Sequence, residues 1–156
     1  GADKIAINTA ALARPAFITE IAETFGSQCV VVSVEVRRVL IENVILFRPY
    51  MNAGRDRVAG DALAWCHEAV ERGAGELLIT SVDQDGTGAG FALDLMGLIS
   101  SRTPVVLSGG FGRPAHAVRA IEEGADAIAI GAWLHAGGTI GEVKDALAAA
   151  GVEVRR

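Results

Sequence analysis

The chain has 156 residues, 51% of them apolar, with 19 glycines and few aromatics. That length and composition imply one domain with a sizeable core. A formal charge of −5 argues against nucleic acid as the main partner. There is no transmembrane run and no signal-peptide pattern, so no membrane role and a reducing cytoplasm are expected. A phosphorylated small molecule stays compatible with the charge, because backbone N–H groups hold phosphate without local Lys or Arg.

In chain order, a strand is expected over Lys4–Asn8, then a helix over Pro15–Phe25 with Gly26 just past its end. A strand follows over Cys29–Val36, with Cys29 as a core residue. The stretch Arg37–Gly60 reads as a long irregular insertion. Within it, Val44–Arg48 has the pattern of a short hairpin strand ending near Asn52-Ala53-Gly54. Asp61 is an apt N-cap for a helix over Asp61–Arg72. A strand at Glu76–Thr80 leads into the loop Ser81–Gly88, and a helix is expected over Ala92–Ser100. Strand Pro104–Ser108, helix Pro114–Glu123, strand Ala127–Ile130 and a helix near Gly141–Ala150 complete the pattern.

One phrase recurs. Gly1-Ala2-Asp3-Lys4-Ile5-Ala6-Ile7-Asn8, Gly73-Ala74-Gly75-Glu76-Leu77-Leu78-Ile79-Thr80 and Gly124-Ala125-Asp126-Ala127-Ile128-Ala129-Ile130-Gly131 each join a glycine turn to an apolar strand. This is a helix C-terminus turning into a parallel strand. The strands read as continuous apolar runs, which suits a parallel sheet covered on both faces. The expected fold is α/β: a partial TIM-type (β/α) barrel with about five parallel strands. A closed barrel of this type needs eight strands. Two open edges are therefore expected to be completed or covered by self-association, making a homo-oligomer, or by an N-terminal segment that this sequence does not contain.

In such a barrel the chemistry sits at the strand C-terminal ends. Ser108-Gly109-Gly110 and Gly131-Ala132 end neighbouring strands in small residues, which suits a nest of N–H donors around a phosphate. The plain alternative is that these glycines only relieve turn strain. Asn8-Thr9 ends the first strand and is either a second phosphate grip or a helix cap. Glu35 ends the second strand and is either a catalytic carboxylate or the partner of Arg37 or Arg38. Asp83 and Asp85 are either acid/base groups or turn residues. Cys29 and Cys66 form neither a disulfide framework nor a zinc site. His67, His116 and His135 are scattered and suit surface or capping positions. No metal and no cofactor is expected.

The runs Gly1–Ala11, Phe25–Val32, Arg72–Glu76, Thr80–Thr87, Ser108–Gly110 and Gly151–Arg155, taken in order, resemble the cyclase subunit of imidazole glycerol phosphate synthase. The likeness covers nearly the whole chain and corresponds to that family's barrel from its fourth strand onward. It implies a histidine-biosynthesis lyase/cyclase that receives ammonia from a glutaminase partner. The ammonia attacks a bisphosphorylated ribulosyl aminoimidazole-carboxamide ribotide and imidazole glycerol phosphate is released. By this resemblance Asn8 and Thr9 match one phosphate grip, and Ser108, Gly109, Gly110, Gly131 and Ala132 the other. Thr80 and Asp85 match active-site positions. Asp3, Lys4, Gln28 and Glu76 match the opposite face, where the glutaminase docks and ammonia enters.

The chain departs from the family in three ways. Glu35 stands where the family has a catalytic aspartate. Arg37–Gly60 lacks the usual glycine-rich pattern. The family's other catalytic aspartate lies on a first strand that this sequence does not contain. The expectation is a chain that binds phosphate and turns over little. An amidation-associated homologue in sugar biosynthesis and a non-catalytic half-barrel module are the alternatives.

Overall fold

A computed structural model describes residues 1–98 and 103–155. Five strands run parallel: β1 (Ile5–Ile7), β2 (Val30–Ile41), β5 (Glu76–Ser81), β6 (Val105–Ser108) and β7 (Ala127–Ala129). They pair in the order in which the chain makes them, β1-β2-β5-β6-β7, and the sheet does not close. Sequential parallel order without reversal is the order of a barrel wall, whereas a doubly wound sheet reverses at a switch point. This bears out the expected partial barrel.

The helices that return the chain are α1 (Thr9–Ala13), α2 (Ala16–Phe25), α3 (Ala62–Glu71), α4 (Pro114–Glu122), α5 (Ala132–His135) and α6 (Ile140–Ala149). The short α1 and α5 are additions to the sequence reading. The expected helix over Ala92–Ser100 is instead a 3₁₀ segment, Leu93–Leu98, and its last residues fall outside the described ones. Asp61 caps α3 by accepting from the N–H groups of Leu63 (2.9 Å) and Ala64 (3.2 Å). The recurring glycine phrase has a physical basis. After α3, Gly73 N–H reaches Val70 O and Ala74 N–H reaches Ala69 O, both at 3.0 Å. After α4, Gly124 and Ala125 repeat the pattern against Ile121 and Ala120. These are Schellman stops, which need a left-handed residue that glycine supplies without strain.

Two rows of side chains cross the sheet and form the core. Val32, Leu77 and Val105 are register partners, as are Val34, Ile79 and Leu107, and all six are buried. The neighbouring row Ser33–Leu78–Val106 is only half-buried. The expected two-sided cover is thus corrected: strands alternate, with one face packed on helices and the other half open. The continuous apolar runs hid this, because Leu78 and Val106 are apolar on the open face as well.

The second correction concerns Arg37–Gly60. It is not irregular. β2 runs on to Ile41 and turns at Glu42 and Asn43 (φ 50° and 62°) into β3 (Val44–Met51). Val39↔Leu46 and Ile41↔Val44 are among the antiparallel partners. Two consecutive positive φ values give the tight hairpin turn whose twist matches the strands. β4 (Asp56–Arg57) adds a short pairing to the end of β3. The hairpin base is anchored by buried Phe47, while Leu40 at its tip is 67% exposed.

Cys29 is also corrected. It lies in a 3₁₀ turn before β2, half-buried, with its thiol donating to Phe25 O at 3.2 Å. Cys66 is buried on α3, and burial together with the Asp61 charge pushes its pKa up to about 12. A thiol attacks only as thiolate. Cys66 should therefore stay inert to thiol reagents in the native chain and react only as fast as the chain opens, with Cys29 modified first. Equal rates for the two would contradict the packing. Leu77→Ala should cost about 2–5 kcal/mol in denaturant unfolding, and Leu40→Ala less than about 0.5 kcal/mol.

Candidate active site at the strand C-terminal rim

Register places several of the expected residues in one line. Glu35 pairs with Thr80, Thr80 with Ser108, and Ser108 with Ala129. Thr80, Ser108 and Ala129 are at or near the C-terminal ends of their strands, whereas Glu35, expected to end its strand, sits in the middle of the extended β2. All four lie in the row next beyond Val34–Ile79–Leu107. Neighbouring strands are about 4.8 Å apart, so Glu35 and Ser108 are roughly 10 Å apart across the sheet.

At the β6–β7 side the rim opens into a cavity of about 240 Å³. Its walls include Asp85, Ser108, Gly109, Gly110, Gly131 and Ala132. The glycines there are not equivalent. Gly109 has φ +86°, and a Cβ on it would come within 2.6 Å of Ser81 O. Gly110 has φ +97°, and a Cβ would come within 2.1 Å of Gly90 O. Real Cβ atoms do not approach that closely, so both glycines are required for the β5 and β6 loops to touch. Gly131 has φ −121°, and a Cβ on it would meet nothing within 4 Å. Its lack of a side chain serves no packing need, and it borders the cavity. A wall of bare backbone and small side chains can present N–H groups to an oxyanion, and Asp85 brings a carboxylate to the same space. Phe111 behind the cavity packs edge-on against the Trp133 ring at 5.2 Å, which ties the β6 loop to α5.

The β1–β2 side is built differently. Asn8 precedes α1 but its side chain makes no cap. Asn8 Nδ2 donates to Tyr50 O at 3.4 Å, while Asn8 Oδ1 is buried without a hydrogen-bond partner among the described residues. Thr9 Oγ1 accepts from Asn52 N–H at 3.1 Å and donates to Asn52 Oδ1 at 3.3 Å. Glu35 Oε2 accepts from Gly54 N–H at 2.6 Å. Neither arginine pairs with it among the described residues. Arg37 donates to Gly54 O at 3.4 Å and lies over the Tyr50 ring, and Arg38 pairs with Asp94. Asn8, Thr9 and Glu35 therefore converge on the turn that ends the hairpin, where Asn52, Ala53 and Gly54 all have positive φ.

The sequence reading missed this convergence, although it marked Asn52-Ala53-Gly54 as a hairpin end. Nothing in local pattern says that the turn returns to β1. Asp83 also acts locally: its Oδ2 accepts from Arg38 N–H at 2.8 Å. Asp83 lines a separate cavity with Arg38, Phe47 and Gln84. Asp85 lines the β6–β7 cavity, whereas Glu35 is engaged at the hairpin turn.

At the opposite rim, Lys4 Nζ and Glu76 Oε2 are 2.5 Å apart. β1 and β5 flank β2, so the pair bridges its N-terminal end. Asp3 and Gln28 are exposed nearby in sequence, with Gln28 Nε2 donating to Phe25 O at 3.3 Å. Ala2, Asp3, Lys4, Ile5, Phe25 and Cys29 line a small cavity of about 150 Å³, and Phe25 is 64% exposed. Among the described residues no group of three His, Cys, Asp or Glu side chains could hold a metal. No helix among them is long and apolar enough to cross a membrane.

Known proteins resemble the chain over its whole length. The chain is 49% identical to an imidazole glycerol phosphate synthase subunit HisF from Clavibacter michiganensis, over 100% of this chain and 60% of that protein. It is 46% identical to the subunit HisF of Gluconacetobacter diazotrophicus, over 99% of this chain and 60% of the relative. The subunit HisF of Myxococcus xanthus is 44% identical over 99% of this chain and 61% of its own length. The chain thus spans about three fifths of the curated relatives it matches. The model of one family, described as histidine biosynthesis protein, matches residues 1–139. With its sequential parallel wall and that match, the chain belongs to the histidine biosynthesis protein family.

Proposed function

We propose that the chain carries the later strands of a cyclase of the imidazole glycerol phosphate synthase type. The reaction is the ammonia-dependent ring closure and cleavage of a bisphosphorylated ribulosyl aminoimidazole-carboxamide ribotide. The observation that carries this reading is the backbone-lined cavity at the β6–β7 ends, with Asp85 on its edge. In this reading the N–H groups around Gly109, Gly110, Gly131 and Ala132, with the Ser108 hydroxyl, hold one phosphate of the substrate. Their dipoles favour a dianion without a cationic side chain. Asp85 exchanges a proton with the reacting sugar, and Thr80 orients it from the same row. Asn8 and Thr9 hold the second phosphate, and Glu35 acts in place of the family's aspartate.

The last three roles require the hairpin turn to yield. Glu35 is held in place by Gly54 N–H at Oε2, so its carboxylate reorients toward the substrate only if that turn moves, although Oε1 stays open to a proton. One extra methylene also moves the carboxylate roughly 1.5 Å from an aspartate's position, and a displacement of that order costs about 10²-fold in rate. The chain by itself is accordingly a phosphate binder with little turnover.

Ammonia enters in this reading past the Lys4–Glu76 pair, from a glutaminase seated on the rim that carries Asp3, Gln28 and Phe25. The exposed Phe25 ring is the anchor for that partner, since aromatic side chains carry much of the energy at such contacts. The open edges of β1 and β7 are the surfaces on which a second copy would extend the wall. The cytoplasm suits both the substrate and the free thiols.

Titration of the purified chain with the bisphosphorylated ribotide tests the reading. Saturable binding with shifts at the Gly110 and Gly131 amides is expected. Gly131→Ala should weaken it about tenfold, or ~1.4 kcal/mol, without lowering the melting temperature, because its Cβ meets only the cavity. Gly110→Ala should instead destabilise the fold. Absence of ribotide binding, or a Gly131→Ala variant that binds normally, sinks the assignment. Phe25→Ala should weaken capture of the glutaminase and leave ribotide affinity unchanged; equal glutaminase affinity would place the docking contact elsewhere.

A further inference from the structure

A second cavity, also of about 240 Å³, lies between the loop after β5 and the start of α4. Ala89, Gly90, Phe91, Arg113, His116 and Arg119 are among its walls, and among the described residues none that lines it is acidic. It is distinct from the strand-end cavity. Gly90 N–H donates to Gly110 O at 2.7 Å, and that contact is the partition: Gly110 lines one space and Gly90 the other.

The hydrogen bonding of His116 gives this cavity a chemical demand. Gly112 N–H points at His116 Nδ1 at 3.2 Å, and Arg113 Nε–H points at His116 Nε2 at 3.2 Å. A neutral imidazole has one acceptor nitrogen and one N–H, so it cannot satisfy both donors. The Gly112 amide is fixed, since its backbone is pressed so closely on Gly88 that a Cβ would lie 2.1 Å from Gly88 O. Nδ1 is therefore the acceptor and Nε2 carries the hydrogen. Nε2–H and Arg113 Nε–H then oppose each other as two donors at 3.2 Å, too close for an atom between them, so the exposed Arg113 side chain turns aside and both N–H groups call for an acceptor beside the ring. Protonating the ring does not remove the conflict, because both nitrogens would then donate. Burial, and then the Arg113 charge, lower the His116 pKa, which agrees with a neutral ring crowded by donors.

Arg119 is three residues beyond His116 on α4, hence on the same side of the helix. Its ion pair with Glu123 is at 4.0 Å between two exposed side chains, and such a pair is weak. Two guanidinium groups and one imidazole N–H thus border a space without a carboxylate. Two positive charges match a phosphate dianion better than a carboxylate, and guanidinium forks fit its oxygens. Phe91 and Leu93 on the wall leave an apolar surface beside it.

We propose that Arg113, His116 Nε2–H and Arg119 form a second oxyanion site, separate from the strand-end cavity, that takes the phosphate group of a small molecule. The shared Gly90–Gly110 contact places it directly behind the first cavity.

The test is an NMR titration of the intact chain with inorganic phosphate at constant ionic strength, read at the His116 ring nitrogens. A saturable shift is expected at His116 Nε2. In the double variant Arg113→Gln/Arg119→Gln the affinity read at His116 should fall about tenfold or more, with the melting temperature unchanged because both side chains are exposed. Sodium acetate should move His116 far less than phosphate. The Gly131 amide reports the strand-end cavity in the same spectra, so the two sites stand or fall separately. A His116 shift that never saturates, one equal for acetate and phosphate, or one unchanged in the double variant would overturn the site as an adventitious ion only. Glycerol 3-phosphate as a second probe separates the sources. Tighter binding than inorganic phosphate at His116 supports an esterified phosphate, and weaker saturable binding supports free phosphate.

Discussion

The close contact of the β5 and β6 loops governs the rest of the molecule. Gly109 lies against Ser81 O and Gly110 against Gly90 O, at separations that leave no room for a Cβ. This contact brings the end of β6 against the loop carrying Asp85. The same contact sets Ser108 and Asp85 on one cavity and places the Arg113–His116 space behind it. Sheet pairing alone would align the strands, but it would leave their loops free to splay. The packing of Phe111 between Phe91 (5.9 Å) and Trp133 (5.2 Å) holds the loop from behind. Backbone contact in front and aromatic packing behind hold the shape of the rim.

The expected fold was legible because its signals are local and repeated. Each Schellman stop requires a left-handed residue, so Gly73, Gly124 and Gly151 mark helix ends in the sequence itself. Parallel strands after such stops leave few topologies, because crossovers are right-handed and consecutive strands mostly lie side by side. The strand-end residues Thr80 and Ser108 were legible for the same reason, since a strand end is a position in that pattern. The hairpin was less so. Val44–Arg48 carried a strand signal, but the extension of β2 to Ile41 depends on pairing with β3, and Arg37 and Arg38 in its middle look like a loop. Their charges are accommodated non-locally, by Tyr50 and Gly54 for Arg37 and by Asp94 for Arg38. No local pattern encodes that. The one-sided cover of the sheet was hidden likewise, because apolar residues on the open face mimic a strand buried on both.

His116 shows another limit of sequence reading. In the chain it is one of three scattered histidines with no motif around it. Its significance comes from two donors that reach it from Gly112 and Arg113, and only one of them is fixed. A histidine between two donors is a statement about a missing acceptor, and it becomes visible only when hydrogen positions are assigned by valence. Arg119 joins it through helical spacing, which a sequence does contain, but Gly90 and Phe91 join through the fold.

The two sides of the rim follow opposite strategies. At β6–β7 the walls are mostly backbone and small side chains. At β1–β2 the polar side chains are engaged with the chain's own hairpin. Glu35 holds Gly54 N–H, Thr9 holds Asn52, and Asn8 holds Tyr50. That the turn Asn52–Gly54 keeps three consecutive residues at positive φ, one of them an alanine, shows how strongly these contacts specify it, since such a residue outside glycine carries a cost of order 1 kcal/mol. Asn8 Oδ1 remains buried and unsatisfied among the described residues, so the engagement is incomplete. An orphaned acceptor of this kind costs about 1–3 kcal/mol. A rearrangement that gives Asn8 Oδ1 a donor recovers part of that cost, offsetting the loss of its contact with Tyr50. The hairpin turn is therefore held closely by Glu35, at 2.6 Å, and more loosely by Asn8, at 3.4 Å.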